Sequence, residues 1–295
     1  MNDIAVSELA LAARDGYMLA ATLYRPASLA GPAVLINSAT GVPRRYYDAF
    51  ARHLAGQGLP ALCYDYRGIG QSLREPIRRF SGSFTDWGEK DMPAALDFLA
   101  HSFPAAPLAV VGHSAGGQIL GLADNAHRIV AAWHVAAQSG YWRLWPRAER
   151  KRLLFNWYLF QPATTALLGY YPGDWVGSAR LPAGIANQWR RFCRSPHYIS
   201  DENGDPLRPF NDRLDIPMHF TGFTDDRIAR PGCIRALFSY YPRARIDYRS
   251  VAPADLGLSE IGHFGWFRKS FPRAEWQRAV DWLQDATTPA LARSA

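Results

Sequence analysis

One serine stands between two glycines in a Gly-x-Ser-x-Gly pattern, Gly112-His113-Ser114-Ala115-Gly116. It follows the apolar run Leu108–Val111 and precedes a stretch expected to be helical. Chemistry at that spacing would be nucleophilic. A hydroxyl attacks a carbonyl only if it stands clear of the backbone, on a turn so tight that nearby side chains would clash, and Gly112 and Gly116 remove those clashes. The Ala115 N–H can then point at a developing oxyanion. Such a serine needs a base, and the base needs a carboxylate to orient it; on this kind of elbow the chain order is serine, acid, histidine. Of the eight histidines only His263 comes late enough, in the glycine-flanked loop Gly262-His263-Phe264-Gly265. His113 adjoins the serine but is expected to point away. His219 falls within an expected strand, and His53, His101 and His127 sit on helices or their ends. None forms the H-E-x-x-H pattern of a metal site. The acid is expected in Thr221–Ala229, where Asp225 and Asp226 compete, one facing the histidine and the other capping the turn. Asp226 is preferred. After His134 the chain offers Gln138 and Ser139 but no carboxylate. A second oxyanion donor is expected from the small-residue loop Asn37–Val42.

The elements that must position these groups alternate. Val6–Ala13 and Met18–Tyr24 read as a hairpin around Asp15-Gly16. Ala33–Asn37, Pro60–Asp65, Leu108–Val111, Ile129–Val135, Ile216–Thr221 and Arg245–Ser250 read as strands. Helical spacing marks Tyr46–Gly56, Phe84–Leu99, Ala115–Ala123, Gly232–Tyr240 and Arg273–Leu283. Short continuous apolar runs such as Ala33-Val34-Leu35-Ile36 suit strands buried on both faces, and the β-α-β-α order implies a mostly parallel sheet flanked by helices. The alternation lapses between 139 and 212, a stretch holding Trp142, Trp145, Trp157, Trp175 and Trp189. We read 1–138 and 213–295 as one α/β core and 139–212 as a helical insertion. Residues after Asp285 are expected to fray.

Composition removes other classes of function. In 295 residues, 48% are hydrophobic and 20% charged, which suits a globular chain. No apolar run reaches the ~18 residues of a membrane span, so stable membrane insertion is not expected. Asp3 and Glu8 near the start, without a basic flank, do not fit a signal peptide. Cys63, Cys193 and Cys233 are an odd, sparse set without metal-site spacing, and a cytoplasmic location is expected. The net charge is +7, yet only three of the 33 basic residues are lysines and no basic run exceeds three residues; nucleic-acid binding is not expected. Gly68-Ile69-Gly70 lacks the third glycine and the context of a dinucleotide site. No cofactor or metal is expected.

Taken together, Gly112–Gly116, the run Asp65-Tyr66-Arg67-Gly68-Ile69-Gly70-Gln71-Ser72, Asp226-Arg227-Ile228 and Gly262-His263-Phe264 resemble the α/β-hydrolase superfamily, in its serine-esterase, lysophospholipase and serine-aminopeptidase-like branch. The resemblance covers about 18–136 and 214–284. It implies the α/β-hydrolase fold, with the 139–212 insertion in the place of the lid. It also implies a Ser114–His263–Asp226 triad, an acyl-enzyme, and a small-molecule acyl substrate. The family's His-Gly-x-Gly is replaced here by Ser38-Ala39-Thr40-Gly41; aligning Gly41 with its second glycine puts the backbone of Thr40 at the oxyanion position, with Ala39 next. A carboxylic ester is the expected substrate. A thioester, an amide or an N-terminal peptide bond, transfer to an acceptor other than water, and binding without turnover are the alternatives.

Overall fold

Eight strands in the order β1-β2-β4-β3-β5-β6-β9-β10 make the central sheet. The structure, a computed structural model, describes residues 4–176 and 179–291. β1 (Ala5–Ala12) and β2 (Met18–Arg25) form an antiparallel hairpin, and β2 pairs antiparallel with β4 (Ala61–Tyr64). Gly16 takes φ +83° in the hairpin turn, where its N–H reaches the Ala13 carbonyl. From β4 onward all pairs are parallel: β3 (Ala33–Asn37), β5 (Leu108–His113), β6 (Ile129–Val135), β9 (Pro217–Phe223) and β10 (Arg245–Val251). Every residue of β3, β4 and β5 is buried, as the continuous apolar runs require, whereas the edge strands β1 and β10 carry exposed residues.

The chain leaves β3 toward β4 on one side and returns to β5 on the other. The loops after β3 and β5 therefore diverge, and a crevice opens between them at the carboxyl ends of the strands, the usual ligand position in open α/β sheets. α1 (Asp48–Gly56), α2 (Met92–Ser102), α6 (Pro231–Phe238) and α7 (Arg273–Leu291) flank the sheet. Between β6 and β9 lie α3 (Arg147–Phe155), α4 (Gln161–Leu168) and α5 (Ala183–Arg194). The short antiparallel strands β7 (Tyr170–Pro172) and β8 (Arg180–Pro182) lie there too, so this segment is not purely helical. No helix among the described residues is long and apolar enough to cross a membrane.

Two local expectations fail. Ala115–Ala123 is not a helix but two 3-10 turns, Ser114–Gly117 and Leu120–Leu122. Gly116, Gly117 and Gly121 each lower helix stability by about 1 kcal/mol relative to alanine. Gly121 also packs so closely that an added Cβ would sit 1.5 Å from Asn211 Oδ1. At the other end, α7 does not fray at Asp285 but continues to Leu291, with Thr287 fully buried and its hydroxyl donating to the Leu283 carbonyl at 2.8 Å.

The core includes a group with a measurable signature. His134 on β6 is fully buried against Phe220 and Tyr241, and neither ring nitrogen has a hydrogen-bond partner among the described residues. Burial, and secondarily the neighbouring His219, push its pKa down to about 3. An unfolded histidine titrates near ~6.5, so between the two values the unfolded chain binds a proton that the folded chain refuses. Stability is complete above ~6.5 and falls as pH drops toward 3, by up to ~1.4 kcal/mol per unit. His134→Leu removes no hydrogen bond. Urea denaturation should give an unchanged or higher midpoint at neutral pH and a clearly shallower loss toward about pH 4.5; an equally steep loss would show that His134 does not titrate in this window.

Candidate active site

Ser114 lies on the turn after β5 with φ +51°, a left-handed conformation that side-chain-bearing residues rarely adopt. The glycines around it are sterically required. A Cβ on Gly116 would sit 2.2 Å from the Asn37 carbonyl oxygen, and one on Gly112 would sit 2.7 Å from the backbone of Gly117. Asn37, the last residue of β3, ties the elbow to the neighbouring strand: its Nδ2 donates to the Gly116 carbonyl at 3.2 Å, and its Oδ1 accepts from the Tyr64 hydroxyl at 2.9 Å. Among the described residues the Ser114 hydroxyl has one hydrogen-bond partner, Gln138 Oε1 at 3.5 Å. Gln138 is held in turn by Gln118, whose Nε2 donates to its carbonyl at 2.6 Å.

The two aspartates after β9 divide their work. Asp226 Oδ2 meets His263 Nδ1 at 2.8 Å, while its Oδ1 accepts the backbone N–H groups of Ile228 and Ala229 at 2.7 and 2.9 Å. Burial raises the Asp226 pKa, but the hydrogen bond and charge of His263 and these two N–H groups outweigh it and leave the carboxyl below its ordinary value. Asp225 turns away. Its Oδ2 accepts from the N–H groups of Ile261 and Gly262 at 2.8 and 2.9 Å, fixing the backbone just before the histidine.

A second chain of hydrogen bonds, absent from the sequence expectations, links the loops. Ala39 N–H donates to Tyr47 Oη at 2.8 Å, Tyr47 Oη lies 2.9 Å from His113 Nδ1, and His113 Nε2 lies 2.9 Å from the His263 carbonyl. A carbonyl can only accept, so Nε2 carries the proton and Nδ1 accepts from tyrosine. Burial, with the nearby His263, pushes the His113 pKa down to about 3 and keeps the ring neutral. His113 therefore acts behind the serine, bracing the His263 backbone against the loop after β3. The only sequence signal was its position beside Ser114; its partners lie 66 and 150 residues away. In that same loop the Ala39 N–H is occupied by Tyr47, whereas the Thr40 N–H has no partner among the described residues. Ala115 lies in the first turn of a 3-10 helix, where backbone N–H groups lack intrahelical acceptors.

A cavity of about 690 Å³ is lined by Thr40, by Gln138, which meets the Ser114 hydroxyl, by Phe264, which follows His263, and by Trp145, Trp157 and Trp189 from the 139–212 segment; Ser114, Asp226 and His263 themselves do not line it. Trp142 packs on the core and Trp175 is exposed, so neither joins it. Arg190, Arg191 and Arg194 on α5 are engaged locally: by the Trp157 carbonyl at 3.2 Å, by Glu202 at 3.7 Å and by the Tyr158 ring at 4.3 Å. A second cleft, about 1030 Å³, lies at Glu8, Arg44, Asp48 and Asp65. Arg44 is paired there with both Glu8 and Asp65, and none of the expected catalytic residues borders the cleft.

The run Asp65–Ser72 is scaffold. Asp65 accepts from the Arg44 backbone and side chain and from Gln71 N–H, and Arg67 bridges Asp15 and Asp91.

Comparison with known proteins agrees with this architecture. The family model described as "Hydrolase_4: Serine aminopeptidase, S33" matches residues 33–154. No curated protein matches the chain. Among solved structures, the chain is similar to a highly thermostable carboxyl esterase from Bacillus coagulans, with 13% identity over 96% of this chain and 99% of that one and a TM-score of 0.66. It is also similar to a hypothetical protein from Pseudomonas aeruginosa (17% identity, 96% and 94% covered, TM-score 0.64). An esterase from Exiguobacterium antarcticum is similar as well (14% identity, 94% and 99% covered, TM-score 0.57). At these identities the likeness is one of fold.

Proposed function

We propose that this chain, which has the α/β-hydrolase fold and matches a hydrolase family model over residues 33–154, is a serine hydrolase of the esterase-like branch, cleaving a carboxylic ester through Ser114, His263 and Asp226. The observation that carries this reading is the 2.8 Å His263–Asp226 hydrogen bond, with the His263 ring 5.3 Å from that of His113, the residue preceding a serine held at φ +51°. Asp226 accepts a hydrogen bond from the Nδ1–H of His263, which fixes the tautomer and leaves Nε2 unprotonated as the base. The Ser114 hydroxyl rotates from Gln138 to His263, attacks the acyl carbonyl and gives up its proton. Catalytic hydrogen bonds in unliganded sites are often long and tighten with substrate. The tetrahedral oxygen is held by the N–H groups of Thr40 and Ala115, each worth ~3 kcal/mol of barrier; Ala39 is disfavoured because Tyr47 already occupies its N–H. The imidazolium returns the proton to the leaving alcohol, and water then resolves the acyl-enzyme by the same steps.

The 139–212 segment serves as the cap, and its tryptophans favour an apolar acyl body. Three buried, unpaired cysteines suit a reducing cytoplasm. The test is hydrolysis of p-nitrophenyl esters of increasing acyl length. Turnover with a preferred length is expected, the length reporting the cavity. Absence of turnover on every ester, with cleavage of matching anilides, would replace the ester reading with an amidase.

A further inference from the structure

The cavity is mostly apolar, with Thr40, Gln138 and Asn156 as neutral polar groups, and among the described residues its only charged lining residues are Arg152 and Arg227. No aspartate or glutamate lines the cavity. Among the described residues neither guanidinium has a hydrogen-bond, ion-pair or ring partner, in contrast to other arginines of this region such as Arg180, which is paired with Asp174 at 2.7 Å. The nearby carboxylates are directed elsewhere, although Asp225 Oδ1 has no partner among the described residues. Glu149 pairs with Arg230, Asp225 with the backbone of 261 and 262, and Asp226 with His263. The two arginines also come from elements that are fastened together. Arg152 is on α3 and Arg227 on the loop after β9. Trp145 Nε1 donates to the Arg227 carbonyl at 3.3 Å, Arg150 Nε donates to the Trp145 carbonyl at 2.9 Å, and the Glu149–Arg230 pair joins α3 to the same loop. A mostly apolar pocket therefore carries two unpaired positive charges on elements that are tied to each other, and their planar forks match an oxoanion.

We propose that the substrate is an anionic amphiphile: an ester whose apolar body fills the cavity and whose far end carries an oxoanion, carboxylate or phosphate, held by Arg152 and Arg227. This rests on the hydrolase reading for the bond cleaved at Ser114, but its test does not need turnover. In Ser114→Ala protein, binding is followed by the fluorescence of Trp145, Trp157 and Trp189, using monomethyl suberate against dimethyl suberate and octyl phosphate against octanol. Each anionic probe is expected to bind about tenfold more tightly than its neutral match, a difference of ~1.4 kcal/mol, and the larger ratio identifies the oxoanion. Arg152→Gln with Arg227→Gln should abolish the preference. Arg147→Gln, also on α3 but outside the cavity, should retain it, which separates the site from the net charge of +7. Equal affinities within both pairs, a preference that survives the double substitution, or no binding of any probe would overturn the proposal. Anion preference without turnover of any ester or anilide by the unmodified protein would instead leave this site standing and remove the hydrolase reading.

Discussion

Ser114→Ala is expected to lose about 10⁵-fold or more of kcat toward any ester the protein hydrolyses, while its denaturation midpoint stays close to that of the unmodified protein. The two halves of this expectation have separate causes. In the proposed mechanism the hydroxyl is the attacking atom, and without it His263 and Asp226 would have nothing to activate; what would remain is the modest effect of the oxyanion donors and substrate binding. Stability depends on the backbone. Alanine meets the same cost as serine at φ +51°, and the hydroxyl's one bond, at 3.5 Å to Gln138, is long enough to contribute little. Ser114→Gly sharpens the point: removing Cβ from a left-handed residue should raise stability by roughly 1 kcal/mol while abolishing turnover equally. Wild-type rates in either variant would place the nucleophile elsewhere.

The second large effect separates two adjacent aspartates. Asp226→Asn should lower kcat by about 10⁴-fold near neutral pH, while Asp225→Asn should cost less than tenfold. The geometry dictates the difference. In Asp226 one oxygen already accepts two N–H groups, from Ile228 and Ala229. The carbonyl of an asparagine must stay there, and its NH2 must then face His263 Nδ1. An NH2 can only donate, so Nδ1 becomes the acceptor, Nε2 carries the proton, and the imidazole can no longer act as base. In Asp225 the oxygen that holds Ile261 and Gly262 is preserved when asparagine presents its carbonyl, and the other oxygen has no partner to lose. Steady-state kinetics of both variants decides the matter; equal losses would mean that Asp225 does more than hold the loop.

How much of this was legible beforehand follows from the range of the interactions. Strands β3, β4 and β5 are continuous apolar runs, and their pairing in a parallel sheet follows from being buried on both faces. Ser114 announces itself because tight turns need glycine, and His263 because of its place in the chain. The choice between Asp225 and Asp226 is less legible: neighbours in sequence point in different directions, and only the turn geometry decides which reaches the histidine. The bracing of His263 by His113 and Tyr47 was invisible, since the partners are far apart in the chain and leave no periodic trace. The helix expected after Ser114 does not form because Gly116, Gly117 and Gly121 weaken it and are pressed against Asn37, His134 and Asn211 from other segments.

β6 and β9 are hydrogen-bonded neighbours, with Ala132 opposite Met218. The two strands are parallel, so the segment between them leaves at the carboxyl end of β6 and re-enters at the amino end of β9, two points fixed by the sheet about four residues, ~13 Å, apart along the strands. In terms of inheritance, that makes it an exchangeable cassette. A recombination that replaced everything between the two strands would leave the sheet's register, the serine turn and the loop of Asp226 and His263 where they are, because the closure of a longer or shorter loop changes the free energy only slowly with length. It would replace the three cavity tryptophans and Arg152 in one event, but not Arg227, which follows β9. Ligand preference and bond cleavage can thus diverge at different rates within one gene.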